Sequence, residues 1–145
     1  QYASKLKEVW LLSEVPSKIH KKLNLPEQDQ GIDIICETKD GEYWAVQSKY
    51  HEDEATNQTW KSLSTFTGLS FGICKNISFG LVCTTAERFT KTLENQDKIS
   101  FCSGEVWRGL NKDFFISLAR KRKPKKLIPF KTRGIFWHAC LDITT

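Results

Sequence analysis

Short blocks of apolar residues, separated by turn-forming polar clusters, organise this chain. Lys7 to Leu12 reads as a short, largely buried strand, and Pro16 closes it. Residues 17 to 31 are polar, carry Pro26 and Gly31, and read as a long connection with one helical turn. Ile32 to Thr38 and Tyr43 to Lys49 are both β-rich and flank Lys39-Asp40-Gly41-Glu42, whose Asp-Gly centre is a strong hairpin signal. Over residues 57 to 70 the spacing of Trp60, Leu63, Phe66 and Leu69 predicts an amphipathic helix, with Asn57 or Thr59 as its cap. Ile77 to Thr85 reads as an interior strand and Ala86 to Glu94 as a short helix. Lys98 to Cys102 reads as a further strand, and Lys112 to Arg120 as a helix with Phe114, Phe115 and Leu118 on one side. The order of elements predicts an α/β domain, a central mixed sheet flanked by helices.

Composition agrees with one folded domain. The chain has 145 residues, 39% hydrophobic and 27% charged, enough for one core, and its five Trp and nine Phe are bulky filling for it. No apolar run approaches the roughly 20 residues that a membrane span needs, and there is no signal-peptide pattern at the N-terminus. The start at Gln1, with no Met anywhere, suggests a fragment of something longer. The five cysteines (36, 74, 83, 102 and 140) show no Cys-x-x-Cys and no zinc-like spacing. Cys36 and Cys83 sit in apolar runs, so reduced, buried thiols in a cytoplasmic protein are expected.

The net charge of +5 changes its meaning once mapped. From Arg120 to Thr145 there are eight Lys or Arg against one acid, Asp142, a net of +7; residues 1 to 119 hold fourteen bases and sixteen acids, a net of −2. A folded domain over residues 1–120 and a basic tail or linker over 121–145 are expected. Such a tail attracts phosphate non-specifically and fits a solvated linker equally well.

The candidate chemistry lies at one end of the hairpin. Folding about Asp40-Gly41 brings the start of the first strand, with Asp33, beside the end of the second, with Gln47, Ser48 and Lys49. Residues two apart on a strand share a face, so Gln47 and Lys49 project together, and a favourable register brings Asp33 to them. An acid, an amide and an ammonium at one sheet end suit phosphodiester cleavage. A carboxylate there holds a divalent cation such as Mg²⁺, which keeps several of its waters. A metal of that kind polarises phosphate and activates water, and a neighbouring lysine orients or deprotonates that water and offsets developing charge. Gln47 offers an amide oxygen as a neutral ligand, and the Ser48 carbonyl is a further candidate.

Gly31-Ile32-Asp33-Ile34-Ile35, the Asp-Gly turn, Tyr43 to Tyr50 and Ser78 to Thr85 together resemble the Mrr-like branch of the PD-(D/E)XK nucleases, over roughly residues 7 to 120. In that branch the second motif often reads Gln-x-Lys, as it does at Gln47-Ser48-Lys49. The resemblance implies a restriction-endonuclease-like core, with Asp33 as the metal aspartate, Gln47 at the second ligand position and Lys49 as the catalytic lysine. It also implies a Mg²⁺-dependent (or Mn²⁺-dependent) endonuclease acting on double-stranded DNA, of restriction type or linked to a helicase or translocase module. Since cutting both strands commonly takes two active sites, a homodimer is a further expectation.

Two departures stand out. The family usually has a glutamate-bearing helix before the first strand, and only about six residues precede Lys7, too few for one; Glu8 and Glu14 are the available substitutes. The stretch Lys126 to Arg133 resembles a run into a helicase module that Gly134 to Thr145 does not continue.

Other readings stay open. Without the resemblance, Asp33, Gln47 and Lys49 also fit a strand-end polar residue, a solvent-facing amide and an edge-strand gatekeeper. A DNA-binding or protein-interaction module on the same fold that no longer cuts is the main alternative, and a purely structural domain the weaker one. His20, His51 and His138 lack ligand spacing, and His51 reads as a loop residue within reach of a phosphate. Trp44 and Trp60 read as core residues rather than base-stacking platforms.

Overall fold

A computed structural model describes residues 4–28, 30–51, 57–94, 96–113 and 116. The helix expected over Lys112 to Arg120 falls largely outside these residues, and the basic stretch 121–145 with its boundary near 120 wholly so. The chain runs through β1 (Leu6–Leu11), α1 (Ser17–Leu23), β2 (Ile34–Thr38), β3 (Tyr43–Lys49), β4 (Asn57–Gln58), α2 (Trp60–Thr67), β5 (Ile77–Thr84), β6 (Arg88–Phe89), α3 (Lys91–Glu94), β7 (Ile99–Cys102) and α4 (Gly104–Arg108). Five strands form one mixed sheet in the order β1-β2-β3-β5-β7, and β4 pairs with β6 in a small parallel bridge.

The first three strands are antiparallel neighbours, and β5 joins β3 in parallel, as does β7 with β5. A parallel neighbour requires a crossover, and α2 lies in the one between β3 and β5. The hairpin forms about Asp40-Gly41 as the sequence leads one to expect. Gly41 N–H donates to the Thr38 carbonyl at 3.0 Å and Thr38 N–H to the Glu42 carbonyl at 2.9 Å. Gly41 alone in that turn takes a positive φ, +83°. This is the three-residue hairpin loop that ends on a left-handed glycine.

Alternation along the strands sends side chains to two cores. Ile35, Tyr43, Ala45, Val82 and Ile99 pack beneath Leu23 of α1 and Leu63 and Phe66 of α2. On the opposite face Ile34, Cys36, Trp44, Val46, Leu81, Cys83 and Cys102 form a second cluster, partly covered by Trp107 of α4. With both faces covered, β3 and β5 are buried over most of their length, as parallel strands in α/β domains usually are.

Several local expectations change. The connection after β1 holds two helical turns, not one, because Ile19 and Leu23 of α1 have a core to pack on. Thr59, not Asn57, caps α2: its hydroxyl accepts from Ser62 N–H at 3.2 Å, and the Ser62 hydroxyl accepts from Thr59 N–H at 3.2 Å. Trp60 is 42% exposed, since it stands in the first turn of α2 while Leu63 and Phe66 face the sheet. Trp44 is buried as expected. The helix expected over Ala86 to Glu94 is confined to α3, because Arg88 and Phe89 pair with β4 instead.

Candidate active site

The register of the hairpin decides what meets at its open end. Ile34 stands opposite Val46, Ile35 opposite Ala45 and Cys36 opposite Trp44. That ladder ends at Ile34 opposite Val46, and the Asp33 N–H donates to the same Val46 carbonyl at 2.9 Å, so Asp33 stands just before β2 beside the end of β3. Gln47 and Lys49, two apart on β3, lie on the face covered by α2 at the carboxyl end of the strand, and the Asp33 charge is close enough to act on Lys49. That end is where open α/β sheets commonly carry their sites.

The Asp33 carboxylate is anchored here: its Oδ2 accepts from the Ser48 backbone N–H at 2.7 Å. Successive backbone groups of a strand point to alternate sides, so the Ser48 carbonyl faces the same side as its N–H, toward Asp33, where β2 has ended. Gln47 is 8% exposed, and its Oε1 is buried without a hydrogen-bond partner. Gly31 runs past Gln47 at φ +116°, a conformation that favours glycine, and a Cβ there would stand 3.4 Å from Gln47 Nε2 and Thr65 Cγ2.

Lys49 is half-buried and its Nζ donates to the Ser62 carbonyl in α2. Burial pushes its pKa below the ordinary lysine value, and the nearby Asp33 charge opposes that shift in part. The three titratable or polar groups foreseen from the sequence are thus brought together, and Ser48 joins them through its backbone.

The two glutamates considered as substitutes are placed differently. Glu8 on β1 pairs with Glu37 of β2, four residues along from Asp33, roughly 13 Å at strand rise. Glu14 lies just past Leu12, whose N–H donates to the Asp33 carbonyl at 3.0 Å, and so sits at the same end of the sheet. Among the described residues no group of three His, Cys, Asp or Glu gathers that could hold a metal.

Sequence reasoning passed over Gln58 and Ser62, read Thr85 only as the end of the interior strand, and read His51 as a loop residue within reach of a phosphate. Gln58 is fully buried between His51 and Ser62, and the Thr85 hydroxyl brackets the His51 backbone, accepting from its N–H at 2.8 Å and donating to its carbonyl at 3.0 Å. The only signal available was the Thr84-Thr85 ending of the interior strand.

Residues 1–102 match the Mrr_cat_2 restriction endonuclease family, well over half of the chain. The chain belongs to this restriction endonuclease family. Among solved structures, the ATP-dependent Type ISP restriction-modification enzyme LlaBIII bound to DNA is similar in fold, with a TM-score of 0.55 and 20% identity over 92% of this chain. The chain spans 9% of that enzyme's length. AF1548, a protein of unknown function, aligns with a TM-score of 0.42 and 16% identity, over 74% of this chain and 65% of its own. No curated protein matches the chain. No helix among the described residues is long and apolar enough to cross a membrane. Membership of this restriction endonuclease family supports a nuclease-type function.

Proposed function

We propose that this domain is a divalent-metal-dependent DNA endonuclease, with Mg²⁺ as the resident ion and Mn²⁺ as a substitute, cutting double-stranded DNA within a larger restriction enzyme that carries a helicase or translocase module. One observation carries the reading: the buried, partnerless Oε1 belongs to Gln47, the neighbour of the Ser48 whose N–H holds the Asp33 carboxylate, and both stand beside a lysine whose charge is disfavoured by burial.

The donors fit such an ion. Asp33, Gln47 Oε1 and the Ser48 carbonyl are hard oxygens carrying a single negative charge, and Mg²⁺ binds few protein oxygens and retains waters. A buried amide oxygen without a partner carries a desolvation cost that a cation removes. When bound, the metal supplies Lewis-acid polarisation of the phosphate and lowers the pKa of its water.

This chain's residues do the rest. Asp33, fixed by Ser48 N–H, sets the negative pole of the site. Lys49 feels that charge, and its depressed pKa brings its neutral form within reach at lower pH than for an exposed lysine. As a base it takes a proton from the attacking water while that oxygen bonds to phosphorus and an ester P–O bond breaks. As an ammonium it offsets the charge on the phosphoryl oxygens.

The test is incubation of plasmid and linear DNA with Mg²⁺ or Mn²⁺, comparing wild type with Asp33→Ala and Lys49→Ala. Metal-dependent cutting, reduced on the order of 100-fold or more in both variants, is expected. Because the described residues gather no cluster of three acids or histidines, a DNA-binding module that does not cut is the second reading. Retardation of DNA without cleavage, weakening with salt, would select it.

A further inference from the structure

Five hydrogen-bonded residues form a closed circuit next to the candidate site. Lys49 Nζ donates to the Ser62 carbonyl. The Ser62 hydroxyl accepts from Gln58 Nε2, and Gln58 Oε1 lies 3.0 Å from His51 Nε2. His51 is two residues beyond Lys49, and its backbone is clamped on both sides by the Thr85 hydroxyl at the end of β5. The circuit thus leaves β3 at Lys49 and returns to the same segment at His51, passing through α2 and β4.

Counting protons fixes its direction. The single proton of the Ser62 hydroxyl goes to the Thr59 carbonyl at 2.7 Å, while the same oxygen accepts from Thr59 N–H at 3.2 Å. Ser62 therefore has only a lone pair left for Gln58, so the amide must turn its NH₂ toward Ser62 and its oxygen toward His51. An amide oxygen can only accept, so His51 must carry a proton on Nε2. With Gln58 fully buried, a reversed amide would set its oxygen against the Ser62 lone pair and lose that bond in a place water does not reach.

We propose that Gln58 and His51 are positioning residues for Lys49. Together they hold the first turn of α2, and with it the Ser62 carbonyl that carries the Lys49 ammonium, at a fixed place against β3. This rests on the reading of Lys49 as the lysine of a nuclease site. Positioning of this kind matters because displacing a reacting group by about 1 Å costs on the order of 100-fold in rate.

The experiment uses the whole 145-residue chain. In wild type, ¹⁵N and ¹³C shifts of neutral His51 are expected to report the Nε2–H tautomer, and the Lys49 NH₃⁺ protons a slowly exchanging signal. Gln58→Glu keeps the acceptor for His51 but has no donor for Ser62; it is expected to lose the Lys49 signal and to lower kcat for DNA cleavage roughly 10- to 100-fold with KM nearly unchanged. His51→Ala is expected to behave likewise, and His51→Gln, whose amide can still donate to Gln58, to recover most of the rate.

An Nδ1–H tautomer at His51, a folded Gln58→Glu variant with wild-type kcat and Lys49 signal, or an equal fall in kcat for His51→Gln and His51→Ala overturns the proposal. The spectroscopic readouts need no cutting. A wild type that cuts DNA but shows the Nδ1–H tautomer refutes the positioning circuit alone. A wild type that does not cut, yet shows the expected tautomer and Lys49 signal, upholds the circuit and refutes the nuclease reading.

Discussion

Replacing Gln47 by leucine should make the metal-free protein more stable while removing its response to metal. The amide is 8% exposed and its Oε1 has no partner, so the folded chain bears an uncompensated desolvation cost of about 1–3 kcal/mol. Leucine is similar in size and carries no polar atom. In EDTA, Gln47→Leu should gain about 1–2 kcal/mol, raising the thermal midpoint by roughly 3–8 °C. Magnesium should reverse the order: a ligand at 100 times its Kd stabilises the folded state by about 2.7 kcal/mol, available to wild type and largely denied to the variant. Unfolding followed by circular dichroism across a Mg²⁺ series is the assay. A variant that is less stable than wild type in EDTA by more than about 1 kcal/mol, or that responds to Mg²⁺ as wild type does, refutes the reasoning.

Three other outcomes are expected. Because burial lowers the Lys49 pKa, the unfolded chain holds one more proton than the folded chain between the folded and the ordinary value of 10.5, and this residue makes stability rise with pH across that window. Lys49→Met should therefore be ahead of wild type in urea midpoint at neutral pH in EDTA, with a lead that shrinks as pH climbs toward 10.5; a lead that grows would contradict the shift. Gly104→Ala should cost about 3 kcal/mol, since its Cβ would stand 2.0 Å from the Thr85 carbonyl oxygen, a backbone atom that cannot swing away; a midpoint within experimental error of wild type would show that the segment gives freely. Native Cys36, its thiol pushed up to about 12 by burial, should resist alkylation at pH 8, as should Cys102, also raised, until denaturant is added. Rapid labelling of the folded chain would count against that burial.

The hairpin and its site were the most legible parts of the sequence, because each rests on local chemistry. Asp40-Gly41 announces a turn, strand period announces which residues share a face, and together they predict that Asp33 meets Gln47 and Lys49. The depth of Gln47 was not legible: it depends on α2 lying over the end of β3, a contact between segments remote in sequence. The same remoteness hid Gln58, which reads as one more polar residue before a helix until β4 and α2 enclose it between His51 and Ser62. Trp60 misled in the opposite sense, since helical spacing gives a stripe but does not say which of its first members the sheet reaches. Helix α1 went unread as a full element for lack of a strong apolar stripe, Ile19 and Leu23 being its only large apolar residues.

The central claim is that one cation sits where Asp33, Gln47 and the Ser48 carbonyl converge. Anomalous diffraction at the manganese edge, from crystals soaked in Mn²⁺, locates such an ion directly. A single peak within about 2.0–2.3 Å of an Asp33 carboxylate oxygen and Gln47 Oε1 is the predicted result. A peak bound elsewhere, with Gln47 Oε1 still unpaired, would contradict it.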